Sequence, residues 1–341
     1  MDSRSSLPLR RKGPILTHQT NPFFSAPNSF KANFGEIYGA RDPRAYFQVL
    51  GGLGYVIPEM ASPIFVELAE RLIKLKNQPI TILDLGCSYG VLSAVSRQGV
   101  TIEQLRNRYS LRSVQSLSSE GLAACDESYF ASWPTRADIR FVGLDRSRQA
   151  IAYACRVGLL DEGVAVDLET DPLNQRAQSV ISKADLIVST GAVGYISERT
   201  FSKVMTVFEG RRPPWIASFV LRMFSYRDIA HVLSQRDLET ERFTRSTFVQ
   251  RRFQNEVERE ETLQLLGSKG IDSSSKEAKG FLHADLFVSR PSEDIQEATL
   301  DEIMSRINNR ERGHDRRDEV GCVRHRSSKC ADFPERNGLT I

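Results

Sequence analysis

Apolar positions recur along this chain with two different periods, and the change from one to the other divides it. In DPRAYFQVLGGLGYVIPEMASPIFVELAERLIKLK the period is helical. Ile64, Leu68, Leu72 and Ile73 fall on one face of a helix, and Asp42-Pro43 is an N-cap and first-turn pair for a helix before it. A break at Ile57-Pro58 separates the two. After Asn77 short β-branched runs alternate with helical ones. PITILDLG predicts a strand and VLSAVSRQG the helix that follows; IRFVGLD predicts a strand, RSRQAIAYACRVGLL a helix, and VAVDLE and ADLIVSTGAV two more strands. ERTFSKVMTVFEG is then helical, PWIASFVLRM extended, and STFVQRRF and FLHADLFVSR read as a last strand pair. Alternation of this kind predicts an α/β fold, a doubly wound and mostly parallel sheet with helices on both faces.

Two stretches interrupt the pattern. Residues from about 101 to 137 are polar and rich in Arg and Ser, and those from about 256 to 280 begin as a charged helix and finish as a Ser/Lys/Gly loop. The first 30 residues, rich in Pro, Ser, Asn and Arg, show no sustained period and predict a disordered arm. The expected organisation is therefore an arm at 1–30, a helical segment at 31–78, a core at 79–291 carrying the two insertions, and, at 292–341, a charged helix fading into a largely disordered tail.

Composition narrows the partners. With 341 residues, 40% hydrophobic and 26% charged, the chain can bury a full core, and a net charge of +3 gives no global argument for nucleic acid or an anionic membrane. No run approaches the ~18 apolar residues of a membrane span, and MDSRSSLPLRRKGPILTHQT lacks the apolar region of a secretory signal, so a cytoplasmic protein is expected. The five cysteines, odd in number and scattered, predict reduced thiols. His314, Cys322, His325 and Cys330 are zinc-compatible, but their spacing fits no zinc pattern within a charged stretch, and no metal site is expected.

The candidate chemistry lies in DLGCSYG, residues 84–90, at the carboxyl end of the first predicted strand, where open α/β sheets bind ligands. A dinucleotide loop needs G-x-G-x-x-G, and this segment offers Gly86 and Gly90 only. It is not a G-x-x-x-x-G-K-[ST] phosphate loop either, so a cofactor without phosphates fits better. The pattern Asp84-Leu85-Gly86-Cys87-Ser88-Tyr89-Gly90 resembles motif I of the class I S-adenosylmethionine-dependent methyltransferases, with Ser88 standing at the family's middle glycine. The likeness is to the small-molecule, type 11/12-like members and runs over about residues 34–291. It implies a Rossmann-like sheet with an antiparallel last strand, preceded by an N-terminal helical lid.

By the same resemblance, Asp145 with its neighbour Arg146 ends the second strand where the family binds both ribose hydroxyls, a task suited to a carboxylate that accepts two hydrogen bonds. Asp167 and Leu168 stand where the family contacts adenine, Thr190 and Gly191 beside the methionine portion, and Tyr38 is the lid aromatic expected to cover the cofactor. Taken singly, Asp145 and Asp167 also read as helix N-caps, Gly86 and Gly90 as a tight turn, and Tyr38 as a packing residue. Asp145 follows the loop by about sixty residues because of the 101–137 insertion, which is either part of a substrate wall or a surface excursion.

Methyl transfer from a sulfonium is chiefly alignment, and a base is needed only for an acceptor that stays protonated. His283, which alternates with Asp285 so that both fall on one strand face, is the first candidate; Tyr195 and Glu198 follow, and Cys87 reads as a packing residue. An adjacent carboxylate would raise the histidine's pKa. The chain lacks the [DN]-P-P-[YFW] signature of nucleobase amine methylation and any RNA-binding module, and it offers no carboxylate cluster for a metal-dependent catechol site. The resemblance then implies methyl transfer to a small organic acceptor, at oxygen. Protein methylation, with the insertions forming a peptide groove, and a non-catalytic cofactor-binding partner subunit stand as alternatives; a dehydrogenase is disfavoured by the glycine spacing. Oligomeric state is not legible.

Overall fold

The computed structural model describes residues 35–321, with side chains to 310. The arm expected at 1–30 and the cysteines and histidine at 322–330 lie outside the described residues, as does the His314 side chain. Three helices come first: α1 (Gly35–Tyr38), α2 (Arg44–Gly52) and α3 (Ile57–Lys76). Pro58 stands in the first turn of α3, where its missing N–H costs nothing, so the break falls just before it. Helices α2 and α3 meet at 102°. No single helix among the described residues is long and apolar enough to cross a membrane.

The alternating part follows as β1 (Ile80–Leu85), α4 (Val91–Gln98), α5 (Ile102–Ser110), α6 (Arg112–Gln115), α7 (Ser119–Ala131), β2 (Ile139–Asp145), α8 (Arg148–Arg156) and β3 (Glu162–Ala165). Then come α9 (Gln175–Ile181), β4 (Leu186–Thr190), α10 (Glu198–Thr206), β5 (Trp215–Leu221), α11 (Arg227–Ser234), β6 (Glu239–Arg242) and β7 (Phe248–Arg252). The chain continues through α12 (Glu256–Ser268), β8 (Phe281–Arg290), α13 (Ser292–Glu297) and α14 (Leu300–Gly321). The strands form one sheet in the order β3-β2-β1-β4-β5-β8-β6, with β7 also paired to β8. Pairs from β3 to β5 are parallel, and β8 runs antiparallel to β5, so the Rossmann-like, doubly wound sheet with an antiparallel last strand is the fold. The short β6, ETER, carries no apolar run and was not expected; it lies on the outer edge of β8, where polar residues suit a sheet edge.

All six residues of β1 are buried because both sheet faces are covered. On one face Ile80 and Ile82 pack with Ile64, Phe65 and Leu68 of α3; on the other Leu83 and Leu85 pack with Val180, Phe201 and Val204. Where a charged helix fading into a tail was expected from 292, α13 and the start of α14 belong to the folded body. Leu300, Ile303, Met304 and Ile307 are buried against the α3 face, an apolar stripe hidden between charged residues in LDEIMSRIN. The 101–137 insertion is not a surface excursion either. Its Leu105, Tyr109, Leu122 and Phe130 form a third core with Tyr46, Phe47 and Leu50 of α2, and Phe47 stacks on Tyr109 at 4.8 Å.

Candidate functional site

The carboxyl ends of β1, β2 and β4 converge on DLGCSYG. The loop leaves β1 through Gly86 (φ 79), turns at Ser88 (φ 48) and enters α4 from Gly90 (φ 77). A side chain at Gly86 would meet Ala192 Cβ at 2.7 Å, and one at Gly90 would meet Leu159 Cβ at 2.9 Å, so both glycines are required by space as well as by φ. Ser88 holds a conformation that costs an L-residue roughly 1–2 kcal/mol. It is held by its backbone N–H, which donates to Asp145 Oδ2 at 3.0 Å.

Asp145 Oδ1 accepts from Ser147 N at 2.8 Å. Asp145 is therefore not the N-cap of α8; Ser147 is, accepting from Ala150 N. Each Asp145 oxygen keeps a second lone-pair direction, the capacity a diol would use. Burial raises its pKa, against the lowering effect of its backbone hydrogen bonds from Ser147 and Ser88. Beside it, Asp84 is 2% exposed and its Oδ1 has no hydrogen-bond partner within the protein. Burial, reinforced by the charge of Asp145, pushes the Asp84 carboxyl up to about 8. Ser88 Oγ is likewise buried without a partner. Buried polar atoms left unsatisfied at the mouth of a parallel sheet mark a place for a ligand.

The other expected cofactor residues divide. Thr190 ends β4, and its carbonyl accepts from Tyr55 Oη at 3.4 Å. Gly191 (φ 118) comes so close to β7 that a Cβ there would lie 2.5 Å from Gln250 Nε2. Asp167 lies past the end of β3 in a turn, where its Oδ1 accepts from Glu169 N at 3.0 Å; it does not cap α9, whose N-cap is Asn174. Leu168 is a core side chain on the α9–α10 face, and its backbone carbonyl accepts from Lys203 Nζ. Cys87 faces away from the cleft: it is buried in the α3-side core, and a side chain at Gly143 would meet its Sγ at 2.5 Å. Burial pushes its thiol up, as suits a packing residue. Arg146 is exposed beside Asp145.

The N-terminal helices bring a set of tyrosines together at this end of the sheet. Tyr38 meets Tyr46 edge-on at 5.8 Å, and Tyr46 meets Tyr55 at 6.2 Å and Tyr89 at 5.8 Å. Arg251 acts on Tyr38, Tyr55 and Tyr195, in each case working against the upward push of burial on the hydroxyl. Its side chain is 7% exposed, and the guanidinium pairs with Glu258 of α12 at 2.5 and 2.9 Å. Sequence reading missed Tyr46, Tyr55, Gln250 and Arg251. The signal for the last two is a register shift in β7 between Val249 and Arg251, a bulge that no residue pattern announces.

The catalytic candidates fare differently. Tyr195, in the turn after β4 and 47% exposed, shares the field of Arg251 with Tyr38 and Tyr55 and also feels Arg146. Glu198 lies in the first turn of α10, where a carboxylate complements the helix's positive end. His283 is not paired with Asp285: its Nδ1 is 3.0 Å from Thr247 Oγ1, and the charges acting on it are Arg222 and Lys276. Its expected partner, Asp285, is taken by Arg242 at 2.8 Å, and burial lowers the histidine's pKa instead of a carboxylate raising it. Among the described residues no group of His, Cys, Asp and Glu could hold a metal ion. A cleft of about 450 Å³ between α9 and α10, lined by Gln175, Gln178, Ser182 and Thr206, shares no residue with the loop cluster.

No protein-family model and no curated protein matches the chain. Among solved structures it is similar to a TehB-like SAM-dependent methyltransferase from Corynebacterium glutamicum, at 18% identity over 65% of this chain and 86% of that one, with a TM-score of 0.29. It is similar also to a magnesium protoporphyrin IX methyltransferase from Synechocystis with bound SAM, at 11% identity over 68% and 80% of the two chains, TM-score 0.33. A plantazolicin methyltransferase in complex with SAH gives 13% identity over 68% and 85%, TM-score 0.35. The strand order of this chain, not these likenesses, carries the fold.

Proposed function

We propose that this chain is an S-adenosylmethionine-dependent methyltransferase acting on a small organic acceptor at oxygen. The observation that carries the reading is Asp84: a buried carboxyl without a partner for Oδ1, at the end of β1, inside a loop with the spacing of motif I and next to Asp145. A ligand that brings a cationic group to Asp84 and a diol to Asp145 satisfies both, and S-adenosylmethionine carries an α-ammonium and a ribose. Residues 166–168 would border its base and Tyr38 would cover it. When bound, the cofactor supplies an electrophilic methyl on a sulfonium.

What the protein supplies is position and field. The lid tyrosines exclude water, and their π faces suit a cation. Arg251, paired with Glu258, works against the effect of burial on the hydroxyls near it, which supports an acidic oxygen acceptor that needs no separate base. Leu105, Tyr109, Leu122 and Phe130 of the 101–137 insertion are taken up in a core with α2, which supports a small acceptor over a peptide. A partner subunit that binds the cofactor without catalysis draws on Ser88, whose side chain stands where the family has none.

Calorimetry with S-adenosylhomocysteine tests the reading. Binding is expected, and Asp145→Ala should weaken it by about 1–3 kcal/mol, the loss of a charged hydrogen bond. Failure of the intact protein to bind would overturn the proposal. Labelled cofactor with a cell extract separates the variants of it: label in organic-soluble products supports a small acceptor, label in macromolecules supports protein methylation, and binding without transfer supports the partner subunit.

A further inference from the structure

Gln250 reaches the site from the side opposite the cofactor loop. Asp84 and Asp145 stand at the ends of β1 and β2, whereas β7 pairs with β8, which lies beyond β4 and β5 in the sheet. Across the β7–β8 ladder Val249 faces His283 and Arg251 faces Leu282, so Gln250 is the extra residue of the bulge, and a bulge re-aims the side chain it carries. The backbone around it is fixed on its other edge. Gln250 O accepts from Val56 N at 2.9 Å, and Arg252 N donates to Leu53 O at 2.8 Å.

The side chain aimed in this way is buried and idle. Gln250 is 6% exposed, and its amide makes no hydrogen bond among the described residues. Nε2 stands against Gly191, where a Cβ would be 2.5 Å away. A buried amide that uses neither its donor nor its acceptor costs stability unless a ligand meets it. With the methionine portion of the cofactor beside Thr190 and Gly191, a group arriving from β7 faces the acceptor. Rings flank this position: Tyr195 lies in the turn after β4, and Phe224, after β5, is so close to Gly194 that a Cβ there would be 2.6 Å from its ring. A planar acceptor suits such walls.

We infer that Gln250 selects the acceptor by donating from Nε2 to a carbonyl oxygen conjugated with the hydroxyl that is methylated, so that the acceptor is a planar enol or phenol of the vinylogous-acid type. The carbonyl serves twice. It withdraws charge from the hydroxyl, which then ionises without a base, and it gives the buried amide a partner. The ionised oxygen, its proton already lost to water, gives an electron pair to the methyl carbon as the carbon–sulfur pair returns to sulfur. This rests on the methyltransferase reading and adds the class of acceptor to it.

Two probes separate the carbonyl from acidity alone: tropolone, a planar acidic hydroxyl beside a carbonyl, and pentafluorophenol, planar and acidic without one. Each is titrated by calorimetry into the full chain saturated with S-adenosylhomocysteine, at a pH that ionises both. Wild type should bind tropolone about tenfold more tightly than pentafluorophenol, the scale of one charge-assisted hydrogen bond. Gln250→Met, unbranched and without the amide, should abolish that preference and leave the affinity for S-adenosylhomocysteine unchanged. No tropolone binding or no preference in wild type, or the same preference in the variant, would overturn the inference. Weakened S-adenosylhomocysteine binding by Gln250→Met assigns the amide to the cofactor and overturns it too. Wild type that binds no S-adenosylhomocysteine overturns the methyltransferase reading itself, and the inference with it. Should Gln250→Met not fold, Gln250→Leu is read by the same criteria; if neither folds, the amide serves the fold and the inference fails.

Discussion

Two regions of this molecule bury a carboxylate, and they bury it in opposite ways. In the insertion, Asp126 is fully buried and receives Arg108, the Tyr109 hydroxyl at 3.1 Å and the Tyr153 hydroxyl, so its oxygens are satisfied within the protein. At the end of β1, Asp84 is almost as deeply buried, yet its Oδ1 has no partner and its nearest charge, Asp145, is of the same sign. The first arrangement pins α5, α7 and α8 together. The second costs stability, and the proposed cofactor would satisfy it. Depth of burial does not separate structural from functional carboxylates; the saturation of their partners does.

Removing each carboxylate should therefore act in opposite directions. Asp126→Ala leaves Arg108 and two tyrosine hydroxyls without their acceptor, and urea denaturation should show a loss of about 3–5 kcal/mol, the usual cost of breaking a buried pair. Asp84→Asn should instead stabilise the ligand-free protein, by several kcal/mol at pH 9. The sign follows from the raised pKa: the folded state holds a proton that the unfolded state releases near pH 4, so wild-type stability falls as pH rises from about 4 to about 8. Thermal melts across that window should show the variant's advantage growing with pH and vanishing near pH 4, while its S-adenosylhomocysteine affinity drops. A variant less stable than wild type at pH 9 would refute this account of Asp84. The smallest effect belongs to Ser88→Gly, which removes a left-handed side chain and should raise stability by about 0.5–1 kcal/mol, measured by the same melts.

The strands and their order of appearance were legible because their signal is local. PITILDLG, IRFVGLD and PWIASFVLRM are short apolar runs bounded by turn residues, and β1, β2 and β5 lie where those runs fall. The third strand ends two residues before Asp167, because VAVDLE gives no boundary between a strand and the turn after it. The stripe in α14 escaped notice because charged neighbours swamp four apolar positions in composition, though not in packing. His283 and Asp285 illustrate the opposite error. Alternation places two residues on one strand face but says nothing of which neighbouring strand supplies the closer partner, and here Thr247 and Arg242 do.

By itself the sequence determined the sheet, its doubly wound covering and the loop at the carboxyl end of β1, since strand periods, glycines and the residues that flank them act over a few positions of chain. Only the tertiary structure decided which polar groups are left unsatisfied. It set Ser88 N–H on Asp145, denied Asp84 Oδ1 a partner, placed Arg251 under the lid tyrosines through a bulge in β7, and tied the loop to the lid through Tyr89. Those contacts join residues about 50 or more positions apart, and hydrogen bonds and charges are settled by distance in space, which no local pattern encodes.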